Sequence, residues 1–353
     1  MSTANSPESQ PVRRNRLRTL VSVTLLAVLV YATMAISSDL GALRTVLQRF
    51  RWWTLAAALA LSLCNYGLRF AKWQYYLAKL GIHRHAEGSE VAGARKALPL
   101  GESLVIFIAG FSMSITPGKA GEVFRSALLA SAHNTPVPRS APIVIADRAS
   151  DLLALVVLVA AGTTSFRGYA WIALTGLGLV AIAMAFVVLE RPAELVFSII
   201  ERWAIGQKMS KRLRDAHLAL RVVMSPSALV IATSVSVLAW GLECMGLYLL
   251  LWGLGSPVSL GLAVFVYSTA TIAGALAMLP GGLGGTELVM RSMLSVLGAV
   301  LAAPAAAATL LARLSTLWFG VALGFVSLAY FRARLDRQLD NVPQSAPTSS
   351  TAQ

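Results

Sequence analysis

Long apolar runs dominate this sequence, and several of them reach the roughly 18 residues that suggest a helix crossing a lipid bilayer. Hydrophobic residues make up 56% of the 353-residue chain and charged residues only 13%, whereas soluble domains are typically about 25% charged. We therefore predict an all-α polytopic integral membrane protein. The candidate spans are residues 19–37, 54–77, 140–162, 169–189, 226–252 and 303–330.

Two further apolar stretches, residues 100–116 and 258–279, are each followed closely by Pro-Gly. If both were simple spans, the chain would cross eight times and the basic connection 190–225 would lie outside. That arrangement conflicts with the excess of Lys and Arg found in cytoplasmic loops. If both are hairpins that enter and leave on one side, the basic loops all lie inside. The charge distribution therefore favours about six full spans plus two re-entrant helical hairpins.

The segments that follow these two stretches resemble each other. Each has Pro-Gly, a further glycine, a glutamate and an arginine, followed by a second arginine within the next apolar helix. The first copy contains Pro117, Gly118, Gly121, Glu122, Arg125 and Arg148, and the second contains Pro280, Gly281, Gly284, Glu287, Arg291 and Arg313. Chance similarity of glycine-rich segments is the alternative, but the matching arginines argue against it. Hairpins entering from opposite faces would form an inverted-topology repeat, which in secondary transporters places the substrate site at the repeat interface.

The charges inside these segments point to an anion. A charged side chain at mid-membrane costs roughly 2.5–3.5 kcal/mol on insertion scales, so it usually pairs, faces water or has a function. A helix that begins after Pro-Gly presents free N–H groups that bind anions, and arginines add donors suited to phosphate. We therefore predict a polar cavity for the headgroup of an anionic lipid. Its further candidate residues are Asn65, Arg69, Lys119, Asp147, Asp151 and Glu243.

Structural pairing is the alternative role for the same charges. Glu122 and Arg125 are spaced i,i+3, Glu287 and Arg291 are spaced i,i+4, and Arg148 and Asp151 are spaced i,i+3. These spacings place the partners on one helix face. Lys72, near the predicted cytoplasmic end of its helix, is expected to extend to the membrane interface.

Composition excludes several other classes of function. The net charge of +14 is explained by basic cytoplasmic loops, so we predict no nucleic-acid partner. The two cysteines, Cys64 and Cys244, lie in apolar runs and the four histidines in polar connections, so neither a disulfide framework nor a metal site is predicted. No catalytic or P-loop motif is found, and we predict no cofactor, although intramembrane acid–base chemistry stays an alternative.

The chain divides into three parts by composition. Residues 1–16 form a polar N-terminus, 17–331 the membrane domain, and 332–353 a disordered polar tail. Within the membrane domain the repeat halves are about 54–189 and 226–331, joined by an amphipathic connection at 190–225. Both termini are predicted to be cytoplasmic. A cleaved signal peptide is the competing interpretation of the first span, but its apolar run is long and no clear cleavage site follows.

Four motifs, in this order, carry a family resemblance: TPGKAGEVFRSALL, IADRASDLL, LPGGLGGTELVM and LLARLSTLWFG. They resemble the lysylphosphatidylglycerol synthase transmembrane-region family, also called the flippase-like domain family, over roughly residues 20–330. The resemblance implies that the polar cavity contains Glu122, Arg125, Asp147, Arg148, Glu287, Arg291 and Arg313. The soluble aminoacyl-transferase domain found in the best-understood members is absent from these residues, so the resemblance supports lipid translocation and not lipid aminoacylation.

Three functions are compatible with these features. The first is a flippase of the bacterial inner membrane that moves an anionic lipid of the phospholipid or polyprenyl-phosphate type between leaflets. The second is an intramembrane transferase that modifies a lipid, and the third is a non-transporting subunit that binds a lipid-biosynthesis enzyme. Membrane lipids are the expected partners, and the sequence leaves the lipid, the transport direction, the energy source and the oligomeric state open.

Overall fold

The computed structural model describes residues 40–82, 98–116, 122–133, 135–163, 178 and 218–340. Within these ranges the regular structure is helical, and no strand occurs, as the all-α prediction requires. The predicted span 19–37, nearly all of the predicted span 169–189 and most of the connection 190–225 lie outside the described residues. The same holds for the N-terminus 1–16, the first Pro-Gly segment 117–121 and the last residues, 341–353.

The described residues contain ten helices of eight residues or more, numbered in chain order. They are α1 (Leu40–Gln48), α2 (Trp53–Lys79), α3 (Leu100–Ala109), α4 (Phe124–His133), α5 (Pro142–Thr163), α6 (Pro226–Gly253), α7 (Leu260–Leu276), α8 (Gly285–Leu297), α9 (Ala302–Arg313) and α10 (Phe319–Asp340). Short 3₁₀ turns at Gly110–Met113 and Pro280–Gly282 follow α3 and α7, and a π turn at Leu314–Trp318 joins α9 to α10.

Three helical segments are long and apolar enough to cross a membrane, namely Trp53–Lys79, Pro226–Gly253 and Ala302–Arg334. They coincide with three of the predicted spans. Helix α5 coincides with a fourth, at 140–162, but it carries Asp147, Arg148 and Asp151 in its first half. These three charged residues therefore lie on a helix that packs against the apolar helices α6 and α7.

The helices in the two apolar stretches end before Pro-Gly: α3 ends at Ala109 and α7 at Leu276. The apolar helices that precede the breaks, Leu100–Met113 and Leu260–Leu276, are both shorter than a typical membrane span. At the second break Gly281 has φ +62° and Gly284 has φ +86°, a conformation that costs glycine little because it lacks Cβ. The chain therefore turns sharply between α7 and α8, and these two helices pack against each other.

Helix packing is reciprocal between the two halves of the chain. Helix α3, which precedes the first break, packs on α10, which belongs to the second half. Helix α7, which precedes the second break, packs on α5, which belongs to the first half. The long helices α2 and α6 pack along each other, and buried apolar residues of α5, α6, α7 and α9 form a large core cluster.

The last helix is longer than predicted. Helix α10 continues to Asp340, so residues 332–340, predicted as part of a disordered tail, are helical. Their sequence, RARLDRQLD, consists mostly of Arg and Leu, which lose little side-chain entropy in a helix. The polar composition of residues 332–340 therefore does not end the helix.

A single methyl group tests the contact between α10 and the 3₁₀ turn at Gly110–Met113. The Cβ of an alanine at Gly324 would collide with the backbone nitrogen of Ser112, which cannot move out of the way as a side chain does. We expect Gly324→Ala to lower stability by about 1–3 kcal/mol, as overpacking does, and to lower the thermal unfolding midpoint in detergent. Gly67→Ala is the matched control, because no atom lies within 4 Å of its new Cβ. An equal midpoint for both variants would contradict this packing.

Candidate functional site

Six charged residues from three segments form a buried ion-pair network, which we call the central cluster: Arg69, Lys72, Glu122, Asp147, Arg148 and Asp151. Arg69 and Lys72 are one turn apart on α2, and Asp147 and Asp151 are one turn apart on α5. Such spacings place each pair on one helix face. Because α2 and α5 both line the same interior, the two basic residues face the two acidic ones.

Asp151 lies at the middle of this network. Its Oδ2 accepts a hydrogen bond from Arg69 Nη2 at 2.9 Å and is 3.4 Å from Arg148 Nη2. Its Oδ1 accepts from Lys72 Nζ at 2.8 Å and from the Ser236 hydroxyl at 2.9 Å. Three cations around one buried carboxylate provide the compensation that a buried charge requires. The predicted pairing of Arg148 with Asp151 is therefore present within a larger network.

Lys72 does not reach the membrane interface, and the prediction that it would was wrong. Its side chain is 1% exposed, and Nζ lies 2.6 Å from Asp147 Oδ1 and 2.8 Å from Asp151 Oδ1. It also donates to the Ser236 hydroxyl at 2.6 Å. The signal that sequence reading missed was the matched spacing: two basic residues one turn apart can face two acidic residues one turn apart on a neighbouring helix.

The repeated glutamates bind the distant arginines of their own copies. Glu122 Oε2 lies 3.0 Å from Arg148 Nη2, and Glu287 Oε1 accepts a hydrogen bond from Arg313 Nε at 2.7 Å across a separation of 26 residues. The first pair has the same separation. Among the described residues no ion pair joins Glu122 to Arg125, so the local i,i+3 partner predicted for Glu122 was wrong.

Glu287 also occupies the N-terminus of its own helix. Its Oε2 accepts a hydrogen bond from the backbone N–H of Gly284 at 2.8 Å, and its side chain is fully buried. The glutamate therefore uses a backbone donor that the sequence assigned to an anionic ligand. Arg313 Nη2 donates to the Gly281 carbonyl at 2.5 Å, which fixes the arginine against the Pro-Gly turn.

A cavity of about 280 Å³ separates the central cluster from the Glu287–Arg313 pair. The predicted site residues in its lining are Arg69, Glu122, Arg148, Asp151, Glu243, Gly281 and Arg313. Further residues of the lining are Tyr66, Trp240, Tyr267, Thr286 and Thr316. Positive and negative side chains from both halves of the chain thus face one space.

Aromatic residues position the polar groups of this lining. The Arg69 guanidinium carbon lies 4.7 Å from the Trp240 ring centroid, within the range of a cation–π contact. The Tyr267 hydroxyl donates to Glu243 Oε2 at 2.6 Å. The Tyr66 hydroxyl donates at 2.6 Å to the carbonyl of Thr316, within the π turn, a local widening that is frequent at functional sites.

Several predicted residues lie outside the cavity lining. Asn65 is buried and donates its Nδ2–H to the Ala239 carbonyl at 2.7 Å, so it joins α2 to α6. Arg125 is buried with its guanidinium carbon 4.4 Å from the Phe107 ring centroid. Asp147 lies behind Arg148 within the central cluster. Pro280, Gly284, Glu287 and Arg291 are also outside the lining, while Pro117, Gly118, Lys119 and Gly121 fall outside the described residues.

Sequence comparison places most of this chain in a known protein family. Residues 19–324 match the profile of a family described as the lysylphosphatidylglycerol synthase TM region. The chain belongs to this family. It is an integral membrane protein with an α-helical membrane domain, as the family and the long apolar helices both indicate. The match covers the central cluster, the cavity and both Pro-Gly segments.

The chain is also similar to archaeal membrane proteins. It is 26% identical over 269 residues to a UPF0104 membrane protein of Methanothermobacter thermautotrophicus, covering 70% of this chain and 78% of that protein. It is 27% identical over 250 residues to a UPF0104 membrane protein of Pyrococcus horikoshii, covering 62% of this chain and 73% of that protein. With the family, these relatives suggest a lipid-related membrane domain. Among the described residues no three side chains are grouped as a metal ion would require.

Proposed function

We propose that this protein is a lipid translocator, which moves an anionic lipid between the leaflets of the bacterial inner membrane. The observation that carries the proposal is the cavity, because it combines arginines from both halves of the chain in one membrane-embedded space. Arg148 and Arg313 supply planar donors that match phosphate oxygens in pairs. The headgroup would pass through the cavity while the acyl or prenyl chains stay in the bilayer.

The rim of the cavity supports an amphiphilic ligand. Met278 and Leu279 contribute to the lining and are also exposed at the surface, and Leu276 beside them is 76% exposed. In a membrane protein, exposed apolar side chains of this kind face lipid tails. A polar interior that continues into an apolar rim matches a molecule with a phosphate at one end and hydrocarbon at the other.

Contact between the two breaks supports an inverted-topology repeat of two re-entrant hairpins. A Cβ placed on Gly281 would lie 3.5 Å from Ile115, so the second Pro-Gly turn touches the chain just before the first. Together with the reciprocal packing of α3 on α10 and α7 on α5, this is the pattern that a two-fold relation between halves produces. The ligand path would then run between the hairpin tips.

The predicted orientation, with cytoplasmic termini, completes the proposal. Exposed Trp52, Trp53 and Trp252 gather at one end of α2 and α6, with the rings of Trp53 and Trp252 5.5 Å apart. Such aromatic residues are typical of a membrane interface. Lys79 ends α2 at the opposite side. An enzyme of lipid biosynthesis is the partner that would supply or use the lipid.

Replacement of Arg148 tests the proposal. Its side chain is 28% exposed, the most exposed cation of the central cluster, so Arg148→Gln removes the phosphate donor of this cluster that a ligand reaches most readily. A hydrogen bond to a charged group contributes about 1.5–3 kcal/mol, so we expect translocation to slow by roughly tenfold to a hundredfold. The measurement is leaflet exchange of fluorescent anionic lipids in proteoliposomes.

Arg332→Gln is the matched control, because Arg332 is an exposed arginine on α10 and its loss should leave the rate unchanged. Equal rates for wild type and Arg148→Gln over a broad panel of anionic lipids would contradict the site. Complete loss of one lipid species from cells lacking the protein would instead indicate a transferase, and an unchanged lipid distribution with a stably co-purifying synthase would indicate a non-transporting subunit.

A further inference from the structure

Each copy of the repeated element contributes one glutamate–arginine pair to the interior. In each copy, the glutamate that follows Pro-Gly binds an arginine from the next helix, and the separation is 26 residues in both. Both arginines line the cavity. Both glutamate side chains are buried, at 4% exposure for Glu122 and 0% for Glu287. In both copies the arginine of the pair therefore faces the cavity, with its glutamate buried beside it.

A carboxylate and a phosphate compete for one guanidinium. Both present oxygen pairs that accept two parallel N–H bonds from arginine. An arginine saturated by its glutamate has fewer donors for a ligand, and an arginine released by its glutamate has a buried charge that an anion would neutralise. The glutamates are therefore placed where they oppose ligand binding as well as stabilise the empty site.

We infer that the cavity contains two phosphate subsites in series, Arg148 opposed by Glu122 and Arg313 opposed by Glu287. In each subsite the phosphate displaces the glutamate from the arginine, and the returning glutamate displaces the phosphate. Competition from the glutamate limits the affinity of the ligand at each subsite, so the ligand can dissociate and move on. The inference rests on the proposed function for the anionic nature of the ligand and adds to it which residues set the affinity at each step.

The two subsites differ in how firmly the arginine is held. Arg148 shares Nη2 among Glu122, Asp147 and Asp151 at 3.0, 3.2 and 3.4 Å, and its buried Nε has no hydrogen-bond partner. Arg313 donates Nε to Glu287 and Nη2 to the Gly281 carbonyl. The Arg148 subsite thus has an N–H donor that a ligand can use, and we expect it to bind phosphate more readily than the Arg313 subsite does.

Charge-neutral replacement of the glutamates tests the inference. In Glu122→Gln and Glu287→Gln the amide keeps the side-chain shape, and at position 287 its oxygen still accepts the Gly284 N–H. We expect the full-length protein in nanodiscs to bind a short-chain phosphatidic acid at least fivefold more tightly in either variant, with a larger gain for Glu122→Gln. Translocation should nevertheless slow by at least threefold, because release becomes limiting. If the glutamates had a merely structural role, their replacement would weaken binding instead.

Glu102→Gln is the matched control, since Glu102 lies against His133 and Arg334 away from the cavity. Unchanged or weaker binding in both glutamate variants, with wild-type binding intact, overturns the subsites and leaves the proposed function standing. Absence of phosphatidic acid binding by the wild type contradicts the anionic ligand itself. If inorganic phosphate binds as tightly as phosphatidic acid, the subsites stand but their ligand is a soluble phosphate, which contradicts lipid translocation.

Discussion

Lys72→Met is expected to cause the largest loss of stability of any single replacement in the central cluster. The substitution removes the cation that lies within 2.8 Å of both Asp147 and Asp151, while a flexible apolar chain fills the space of the lysine stem. Two carboxylates then face each other in the interior with less compensation. Removing one partner of a buried pair typically costs about 3–5 kcal/mol, and we expect the effect here at the upper end of that range.

Thermal unfolding of the purified protein in detergent measures this effect. Lys79→Met is the matched control, because Lys79 lies on the same helix but is exposed at its end, so its unfolding midpoint should change little. Lys72→Arg keeps the charge with a different shape and should lose less than Lys72→Met. A midpoint for Lys72→Met close to that of Lys79→Met would show that Lys72 is not buried among the aspartates.

Arg313→Met is expected to have the second largest effect, because it leaves Glu287 without the partner of its Oε1 oxygen. The Glu287 side chain is 0% exposed, so water cannot replace the guanidinium. The substitution also removes the donor to the Gly281 carbonyl, which loosens the second Pro-Gly turn. We expect about 3–5 kcal/mol of destabilisation and loss of lipid translocation.

A double-mutant cycle separates the ion pair from the rest of the effect. Arg313→Met combined with Glu287→Gln removes the uncompensated charge, so it should be more stable than Arg313→Met alone. Residues in direct contact show coupling energies of roughly 0.5–3 kcal/mol in such cycles. Unfolding midpoints that fall additively in the double variant would contradict the pairing. Translocation should stay lost in the double variant, because the phosphate donor is still absent.

The apolar pattern predicted much of the fold. Three of the predicted spans coincide with helices long enough to cross a membrane, and a fourth coincides with α5. The second Pro-Gly break falls where the sequence placed it. These features are local. The length of an apolar run determines whether a helix can cross the membrane, and proline and glycine determine where a helix ends. The end of α10 was less predictable, because a polar segment can continue a helix beyond the membrane.

The sequence indicated several residues of the candidate site, but it did not indicate which of them form ion pairs. The sequence indicated Glu122, Arg148, Glu287 and Arg313 through their repeated spacing, and the structure joins them in two pairs. It offered Arg125 as the local partner of Glu122, because i,i+3 and i,i+4 spacings are the contacts that a single helix reveals. It also placed Lys72 at the membrane interface, because a lysine near the end of an apolar helix can usually extend its ammonium group into water.

The sequence by itself determined that the chain enters the membrane, where its helices break, and which charges repeat. Each of these depends on residues close together in the chain. The tertiary structure alone decided which charges meet, that Lys72 is buried between two aspartates, and that arginines from both halves face one cavity. Those outcomes depend on the relative orientation and packing of α2, α5, α6 and α9. A buried charge pairs with the opposite charge that this packing places within contact distance.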